Sequence, residues 1–177
     1  GNLLNPGAAG PFTVVAECTY LVDGEVTDLV VPGGAERELN ADNSFRTTYS
    51  DLPVGATCEV TETDTGFADS TTVTIQTGDE STTTEGTTGT IDLAGGDDTA
   101  LVTVSNTFTA GEVSVTKTVS GTDADAHRSD VFAVTLACTW HGEDIEIPGG
   151  AERALRVGAP VLYTDLPTDA ECIVTET

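Results

Sequence analysis

Apolar and polar residues alternate along several short stretches of this chain. Every second residue from Phe12 to Tyr20 is apolar or aromatic, and the stretch from Phe132 to Trp140 has the same alternation. A period of two places these side chains on one face of an extended backbone, which predicts two half-buried β-strands. Further strands are predicted at residues 58–62, 71–77 and 100–108. No helix of normal length is predicted, and short strands separated by turns indicate antiparallel β-sandwiches.

The six residues Pro-Gly-Gly-Ala-Glu-Arg occur twice, at 32–37 and at 148–153. Blocks on both sides of them recur in the same order at an offset of 114 to 120 residues, for example between Cys58 and Cys172. This period is longer than that of solenoid repeats and close to the size of a single domain. The sequence therefore predicts a tandem domain repeat. The predicted units are 1–110 and 111–177.

The two predicted units differ at their ends. The second begins with an alternating stretch, 111–121, that has no equivalent before Phe12 in the first. The first continues well beyond Thr63, whereas the equivalent block of the second is the last of the chain. We expect the chain to be part of a longer repetitive protein. In the alternative, the ends are native, and each incomplete sandwich has an open edge that another chain fills by strand addition.

The turns between the predicted strands offer few candidates for chemistry. Residues 32–37 and their copy suit a type II turn followed by the start of a strand, with a contact surface as the alternative. Ser81–Thr90 is rich in threonine and glycine and is predicted to be an exposed loop that offers hydroxyl groups for O-glycosylation. Gly95–Asp98 is predicted to be a turn. Its carboxylates suit calcium, but the sequence lacks further ligands at the spacing of a calcium loop.

The chain is strongly acidic, with 30 Asp and Glu residues against six Lys and Arg and a formal net charge of -24. This charge argues against nucleic acid and anionic membrane surfaces as partners, because both are polyanions. No hydrophobic run is long enough to span a membrane. The sequence has no Ser/His/Asp set, no phosphate-binding loop and no metal-ligand cluster around His127 or His141. We therefore expect no enzyme activity, no cofactor and no metal.

Two cysteines lie at equivalent positions in each predicted unit, Cys18 with Cys58 and Cys138 with Cys172. None belongs to a Cys-x-x-Cys motif, which disfavours a zinc site. An even number repeated in each unit predicts one disulfide per unit, and therefore an oxidising, extracellular compartment. Buried free thiols are the alternative. A closed loop of roughly 40 residues would stabilise each unit by about 4 kcal/mol in the chain-entropy model.

Three motifs resemble those of a known family. They are Val-Thr-Lys, ending at Lys117, Val-Thr-Glu, ending at Glu62 and again at Glu176, and Val-Ser-Asn, ending at Asn106. With the order of the blocks, they resemble a repeat domain of Gram-positive, chiefly actinobacterial, surface proteins. That domain is similar to the collagen-adhesin B-type, transthyretin-like domains of pilins and adhesin stalks. The resemblance implies seven-stranded immunoglobulin-like sandwiches that serve as spacers or adhesive modules.

The resemblance also implies an intramolecular Lys–Asn isopeptide bond promoted by a buried acidic residue. Lys117 matches the lysine, Glu62 and Glu176 match the acid, and Asn106 matches the asparagine. Lys117 alternates with valines, which favours its burial. We expect the lysine partner of Asn106 upstream of this chain and the asparagine partner of Lys117 downstream of it. The alternative is that both glutamates are structural or exposed and that Asn106 makes a structural hydrogen bond.

These features favour a structural function. We expect a stalk, fibre or pilus-like segment of a repetitive bacterial cell-surface protein, with neighbouring repeats and other copies in a filament as its partners. The short segment between the units, 107–113, leaves little length for free rotation, so the array is expected to be semi-rigid. The alternative is an adhesive module of a surface adhesin, which binds a protein or glycan ligand through loops such as the acidic 92–98.

Overall fold

The computed structural model describes residues 10–95 and 99–177, which divide into two compact units. The first unit contains the described residues up to Phe108, and the second unit is Thr109–Thr177. This division falls two residues before the boundary that the sequence predicts. Regular structure in the described residues is β-strand, apart from one short 3-10 helix at Ala124–His127. The chain is therefore all-β, as predicted.

The described residues of the first unit form eight antiparallel strands, one more than the resemblance implies. They are β1 (Phe12–Val22), β2 (Glu25–Leu29), β3 (Glu36–Leu39), β4 (Thr57–Asp64), β5 (Ser70–Thr77), β6 (Glu80–Glu85), β7 (Thr88–Asp92) and β8 (Leu101–Thr107). One sheet has the order β2-β1-β4-β7, and β3 pairs with β1 on the edge that β2 also uses. The second sheet has the order β6-β5-β8.

The core of the first unit lies between these two sheets. Ala16 of β1, Val60 of β4 and Ile91 of β7 are buried, and they pack against Ile75 and Val102 of the second sheet. The alternation explains this arrangement, because successive side chains of a strand point to opposite faces of the sheet. The apolar set of each strand therefore turns inward, and its polar neighbours turn to solvent.

The second unit contains the other six strands. They are β9 (Ala110–Val115), β10 (Val131–Trp140), β11 (Glu143–Asp144), β12 (Glu152–Arg156), β13 (Val161–Pro167) and β14 (Glu171–Glu176). Strands β11 and β12 pair with one edge of β10, and β14 pairs with the other. Strands β9 and β13 form a separate two-stranded sheet. The core residues of this unit are Leu136, Cys138, Ile147, Tyr163 and Leu166.

The predicted repeat is visible in the strand pairing. Strand β1 pairs with β3 and β4 as β10 pairs with β12 and β14. Each Pro-Gly-Gly forms the predicted type II turn, in which the fourth residue donates its amide hydrogen to the carbonyl of the first over 3.0 Å. The third residues of the two turns, Gly33 and Gly149, have φ values of +75° and +74°. Glycine reaches this region without the steric penalty of a side chain.

The prediction of an exposed loop at Ser81–Thr90 is wrong. Most of this segment lies in β6, which pairs with β5, and in β7, which pairs with β4. Threonine is β-branched and favours strands once a neighbouring strand supplies hydrogen bonds, whereas composition alone suggested a loop. All of β6 is exposed, but Gly89 and Ile91 of β7 are buried. Residues 96–98 of the predicted turn at Gly95–Asp98 lie outside the described residues.

Candidate functional site

Both predicted disulfides are present, and each joins two neighbouring strands of a sheet. Cys18 on β1 bonds to Cys58 on β4, and Cys138 on β10 bonds to Cys172 on β14, with sequence separations of 40 and 34. The bonded residues lie directly opposite each other, with Cα atoms 4.0 and 4.1 Å apart. Closing loops of this length stabilises each unit by about 4 kcal/mol. Two disulfides indicate an oxidising, extracellular environment.

The repeated Pro-Gly-Gly-Ala-Glu-Arg segment contains a second fixed contact. Its arginine, Arg37, folds back over the turn and donates from Nη1 to the carbonyl of Gly33 at 2.6 Å and from Nη2 to that of Pro32 at 3.2 Å. The guanidinium lies 5.1 Å from the ring centroid of Tyr49, a cation–π distance. The Tyr49 hydroxyl donates to the carbonyl of Ala35 at 2.8 Å. Burial raises the pKa of Tyr49, and the charge of Arg37 opposes this shift.

The second unit repeats this contact. Arg153 donates to the carbonyl of Pro148 at 2.8 Å and to that of Leu162, and its guanidinium lies 4.2 Å from the ring centroid of Tyr163. The Tyr163 hydroxyl donates to the carbonyl of Ala151 at 2.9 Å, and the ring is fully buried. We call these two contacts the arginine–tyrosine latches. They give a structural reason for the repeated turn and arginine, because the arginine ties the turn to a tyrosine farther along the chain.

The sequence predicts the turn but does not show the latch. A signal was present, since Tyr49 and Tyr163 open a second repeated block, Tyr-x-Asp-Leu-Pro. Two blocks that recur together in both units are expected to touch, but their spacing alone does not show which side chains meet.

Glu62 is the most deeply buried charged residue among the described residues. This β4 residue is 4% exposed, and its Oε1 accepts a hydrogen bond from Nδ2 of Asn106 at 2.9 Å. Thr71 donates from its hydroxyl to Oδ1 of the same Asn106 at 2.7 Å. Within the described residues, Oε2 of Glu62 has no hydrogen-bond partner. Burial raises the pKa of Glu62, nearby Asp64 adds to the shift, and the Asn106 hydrogen bond opposes it.

Lys117 and Glu176 form a pair in the second unit. Nζ of Lys117 lies 2.7 and 2.8 Å from the two carboxylate oxygens and 4.4 Å from the ring centroid of Phe132. The lysine side chain is 20% exposed and that of Glu176 is 45% exposed. The expectation that Glu176 is a buried acid is therefore wrong for the described structure. The described second sheet of this unit has only β9 and β13, whereas in the first unit β8 of the β6-β5-β8 sheet supplies Asn106 beside Glu62.

Each unit thus brings together two of the three groups that the resemblance implies. The first unit joins the acid Glu62 to Asn106, and the second joins Lys117 to the acid Glu176. The Lys–Asn bond itself stays a prediction.

Within residues 10–95 and 99–177, no three His, Cys, Asp or Glu side chains are placed to hold a metal ion. Over the same ranges, no helix is long and apolar enough to cross a membrane.

The model of one protein family matches this chain twice. The family is DUF5979, described as a domain of unknown function, and the matched segments are residues 2–109 and 113–177. No match was found among curated proteins or among solved structures. The two matched segments coincide closely with the two β-units and together cover nearly the whole sequence. The chain therefore belongs to the DUF5979 family.

Proposed function

We propose that this chain is a structural, extracellular segment of a repetitive bacterial cell-surface protein, where it forms part of a stalk, fibre or pilus-like filament. The observation that supports this best is that the same disulfide and the same latch recur in both units. A covalent scaffold that is duplicated along one chain is typical of a module that provides length and stiffness. Its partners are neighbouring repeats and other copies in the filament.

The position of the disulfides suits a segment under tension. Each bond joins adjacent strands of one sheet, so the residues between the cysteines stay in a closed loop when the ends of the unit are pulled. The first loop spans a sequence separation of 40. At about 3.5 Å per residue, this loop withholds roughly 140 Å of extended chain. A unit that unfolds under load therefore lengthens less than the same unit would without its disulfide.

The surface charge suits a spacer that stays surrounded by water. On the outer face of the larger sheet, Glu17 of β1 lies directly opposite Glu59 of β4, and both are exposed. Carboxylates in opposite positions repel each other, so water and salt must screen them. A net charge of -24 also repels other copies except where a specific contact forms.

The stalk function can be tested by pulling on the full chain between its two ends with single-molecule force spectroscopy. We expect two unfolding events under oxidising conditions. After reduction, the first unit should gain about 140 Å more length and the second about 120 Å more, since the loops are released. Unfolding lengths that do not change on reduction would contradict a load-limiting function of the disulfides.

We also propose that isopeptide bonds form in the longer repeat protein, which rests on the family resemblance. Nζ of a neutral lysine bonds to the side-chain carbonyl carbon of asparagine, the carboxamide C–N bond breaks, and ammonia leaves. Asn106 would react with a lysine outside this chain, and Lys117 with an asparagine outside it. The contacts of Asn106 support this chemistry, because Thr71 donates to its oxygen and Glu62 contacts its nitrogen. A carboxyl with a raised pKa can supply a proton to the departing nitrogen.

Intact mass of the reduced full-length protein tests this bond. Each bond lowers the mass by about 17 Da, the mass of one ammonia. Glu62→Gln should abolish the loss at the Asn106 site, and Glu176→Gln the loss at the Lys117 site. A mass equal to that of the sequence would eliminate the crosslinks and leave the disulfides as the covalent bonds between strands. A loss that persists in both variants would eliminate the assigned function of the glutamates.

A second candidate function, adhesion, is favoured by the outer face of the β6-β5-β8 sheet. Thr74 lies between Thr83 and Thr103 in the strand register, and Thr72 lies beside Ser105. This face presents a row of hydroxyl groups, with the exposed Glu85 opposite Thr72 at one end. Hydroxyl groups both donate and accept hydrogen bonds, as glycans do. Saturable binding of the full chain to a glycan array, lost in a Thr74→Glu variant, would favour adhesion over a passive stalk.

A further inference from the structure

Strand β6 is an edge strand in the middle of the first unit, with other strands of the same unit before and after it along the chain. It pairs with β5, and β5 pairs with β8 on its other side, so that β6 is the outermost strand of its sheet. Within the described residues, no strand pairs with the second edge of β6. An unpaired edge presents backbone N–H and C=O groups to which a further strand can bind.

An opening strand supplied from upstream would not cover this edge. In the second unit, Lys117 lies just after the opening strand β9 and contacts Glu176. The equivalent acid of the first unit, Glu62, contacts Asn106 of β8. Because the two acids occupy the same position in the repeat, an opening strand of the first unit would lie beside β8. Strand β5 separates β8 from β6, so the edge of β6 stays open in a complete unit.

Strand β6 lacks the features that usually protect an edge strand, which are central charges, prolines and bulges. All of its residues are exposed, the four central residues 81–84 are uncharged, and its register with β5 has no irregularity. The larger sheet differs, because one of its edges is divided between β2 and β3 by the Pro-Gly-Gly turn. That edge also carries exposed charges on both strands, including Glu25 and Glu36. Strand β6 is therefore the less protected edge.

One hydrogen bond shows which residues of β6 face the open edge. The amide of Gly86, just after β6, donates to the carbonyl of Thr71 at 2.9 Å. Because hydrogen-bonded pairs recur every second residue in an antiparallel ladder, the even-numbered residues of β6 bond to β5. The backbone groups that point to the open edge belong to Ser81, Thr83 and Glu85.

We propose that this edge pairs with β6 of a second copy of the chain, antiparallel and about a twofold axis at Thr83. Residues that face the edge pair only with residues that face the edge, so an odd-numbered residue always lies opposite an odd-numbered one. Glu80 and Glu85 of the two copies therefore never lie opposite each other. In the register centred on Thr83, Glu80 lies opposite Gly86 and Glu85 lies opposite Ser81. No like charges are directly opposed.

The side chains suit this register. Threonine lies opposite threonine at the centre, and Thr82 lies opposite Thr84 on the other face, a cross-strand pairing that stabilises sheets. The hydroxyl of Ser81 can donate a hydrogen bond to the carboxylate of Glu85 in the second copy. The pairing joins two three-stranded sheets into one of six strands. Because the first unit has one such edge, the assembly closes at two copies.

This pairing deepens the proposed filament function, on which it rests for the expectation that other copies of the chain are partners. It names the surface that joins them side by side. Two chains with a net charge of -24 repel each other, so the dimer should form more readily when salt screens that charge.

Sedimentation velocity of the full chain over a range of concentrations tests the pairing. We expect a monomer–dimer equilibrium that shifts to the dimer in high salt. Amide hydrogen exchange should slow with increasing chain concentration at Ser81, Thr83 and Glu85. Exchange at Thr82 and Thr84, whose amides already bond to β5, should not change. Slower exchange at another strand instead, or a chain that stays monomeric in high salt, would overturn the proposal.

Two variants with the same added charge separate the edge from the rest of the sheet. Thr83→Glu places two carboxylates opposite each other and should weaken the dimer at least about tenfold. Thr103→Glu adds the same charge to the exposed face of β8, which β5 separates from the edge, and should leave the dimer nearly unchanged. Equal losses in the two variants would contradict the proposed site.

A charge exchange tests the twofold register. A mixture of the Thr83→Glu and Thr83→Lys variants should recover the dimer, because opposite charges then meet at the axis. No recovery in the mixture would overturn this register. A monomeric chain would leave the stalk function standing, since pulling on single molecules tests that function independently.

Discussion

Strands β4 and β14 share four identical residues in the pattern Cys-x-Val-Thr-Glu and the same register on their central strands, yet their glutamates have different environments. Glu62 is 4% exposed and bonds to Asn106, whereas the side chain of Glu176 is 45% exposed and pairs with Lys117. The difference lies in the neighbouring residues, because β8 supplies Asn106 beside Glu62, whereas the segment after β9 supplies Lys117 beside Glu176. The burial of the acid in the first unit thus depends on the second sheet of that unit.

The outward positions of the same strands differ as well. Glu17 lies opposite Glu59 in the first unit, and the equivalent positions of the second unit hold Ala137 opposite Ile173. Ile173 is 71% exposed. The inward-facing residues preserve the core and the disulfide in both units. The outward-facing residues give this sheet an acidic surface in the first unit and an apolar surface in the second.

Removal of a disulfide should have the largest effect, and a similar one in both units. The Cys18→Ser/Cys58→Ser and Cys138→Ser/Cys172→Ser variants should each lower the free energy of unfolding of their unit by about 4 kcal/mol, because the released loops have similar lengths. Urea unfolding followed by circular dichroism measures this, with the reduced native chain as control. A much larger loss in one unit would show that the two scaffolds are not equivalent.

Removal of the tyrosine ring from each latch should lower the free energy of unfolding by different amounts in the two units. Tyr163→Ala removes a fully buried ring and should cost about 3–4 kcal/mol. Tyr49→Ala should cost about 2 kcal/mol, because that ring is half-buried and the cavity opens to water. The Tyr→Phe variants remove the hydroxyl bond to the backbone and should cost about 1 kcal/mol at either site. Equal costs for the two alanine variants would contradict the difference in burial.

The pH dependence of stability should differ between the glutamates. The folded first unit holds the proton of Glu62 at a higher pH than the unfolded chain, because burial raises the pKa. This contribution is fully present below the unfolded value of about 4.3 and is lost as the pH rises through the folded pKa, by roughly 1.4 kcal/mol per pKa unit. Glu62→Gln should remove this slope from urea midpoints measured across the range. If the variant keeps this pH dependence, another titratable group causes it.

The smallest expected effect is that of the surface pair in the second unit. Glu176→Gln should lower the free energy of unfolding by about 0.5 kcal/mol at low salt, because a partly exposed ion pair contributes little. High salt should screen this difference away. Any effect of Glu62→Gln should persist in high salt, since Glu62 is buried. A salt-insensitive loss at Glu176 would mean that its carboxylate is less accessible than the structure shows.

Much of the fold could be predicted because it depends on local periodicity. The alternation from Phe12 to Tyr20 predicts β1 and turns Cys18 inward, and the duplicated pattern makes Cys58 its natural partner. Periodicity did not predict the strands within Ser81–Thr90, because the threonines of this segment show no apolar alternation. Its strands form because β5 and β4 supply hydrogen-bond partners from other parts of the chain.

By itself, the sequence determined the strands with apolar faces, the tandem repeat and the pairing of the cysteines, because each follows from spacing along the chain. Only the tertiary structure decided that Arg37 lies on Tyr49, that Glu62 is buried beside Asn106, and that Glu176 remains at the surface. These outcomes depend on which distant strands come together. Burial and hydrogen bonding are set by that three-dimensional cover, and identical short sequences such as Cys-x-Val-Thr-Glu therefore acquire different chemistry in the two units.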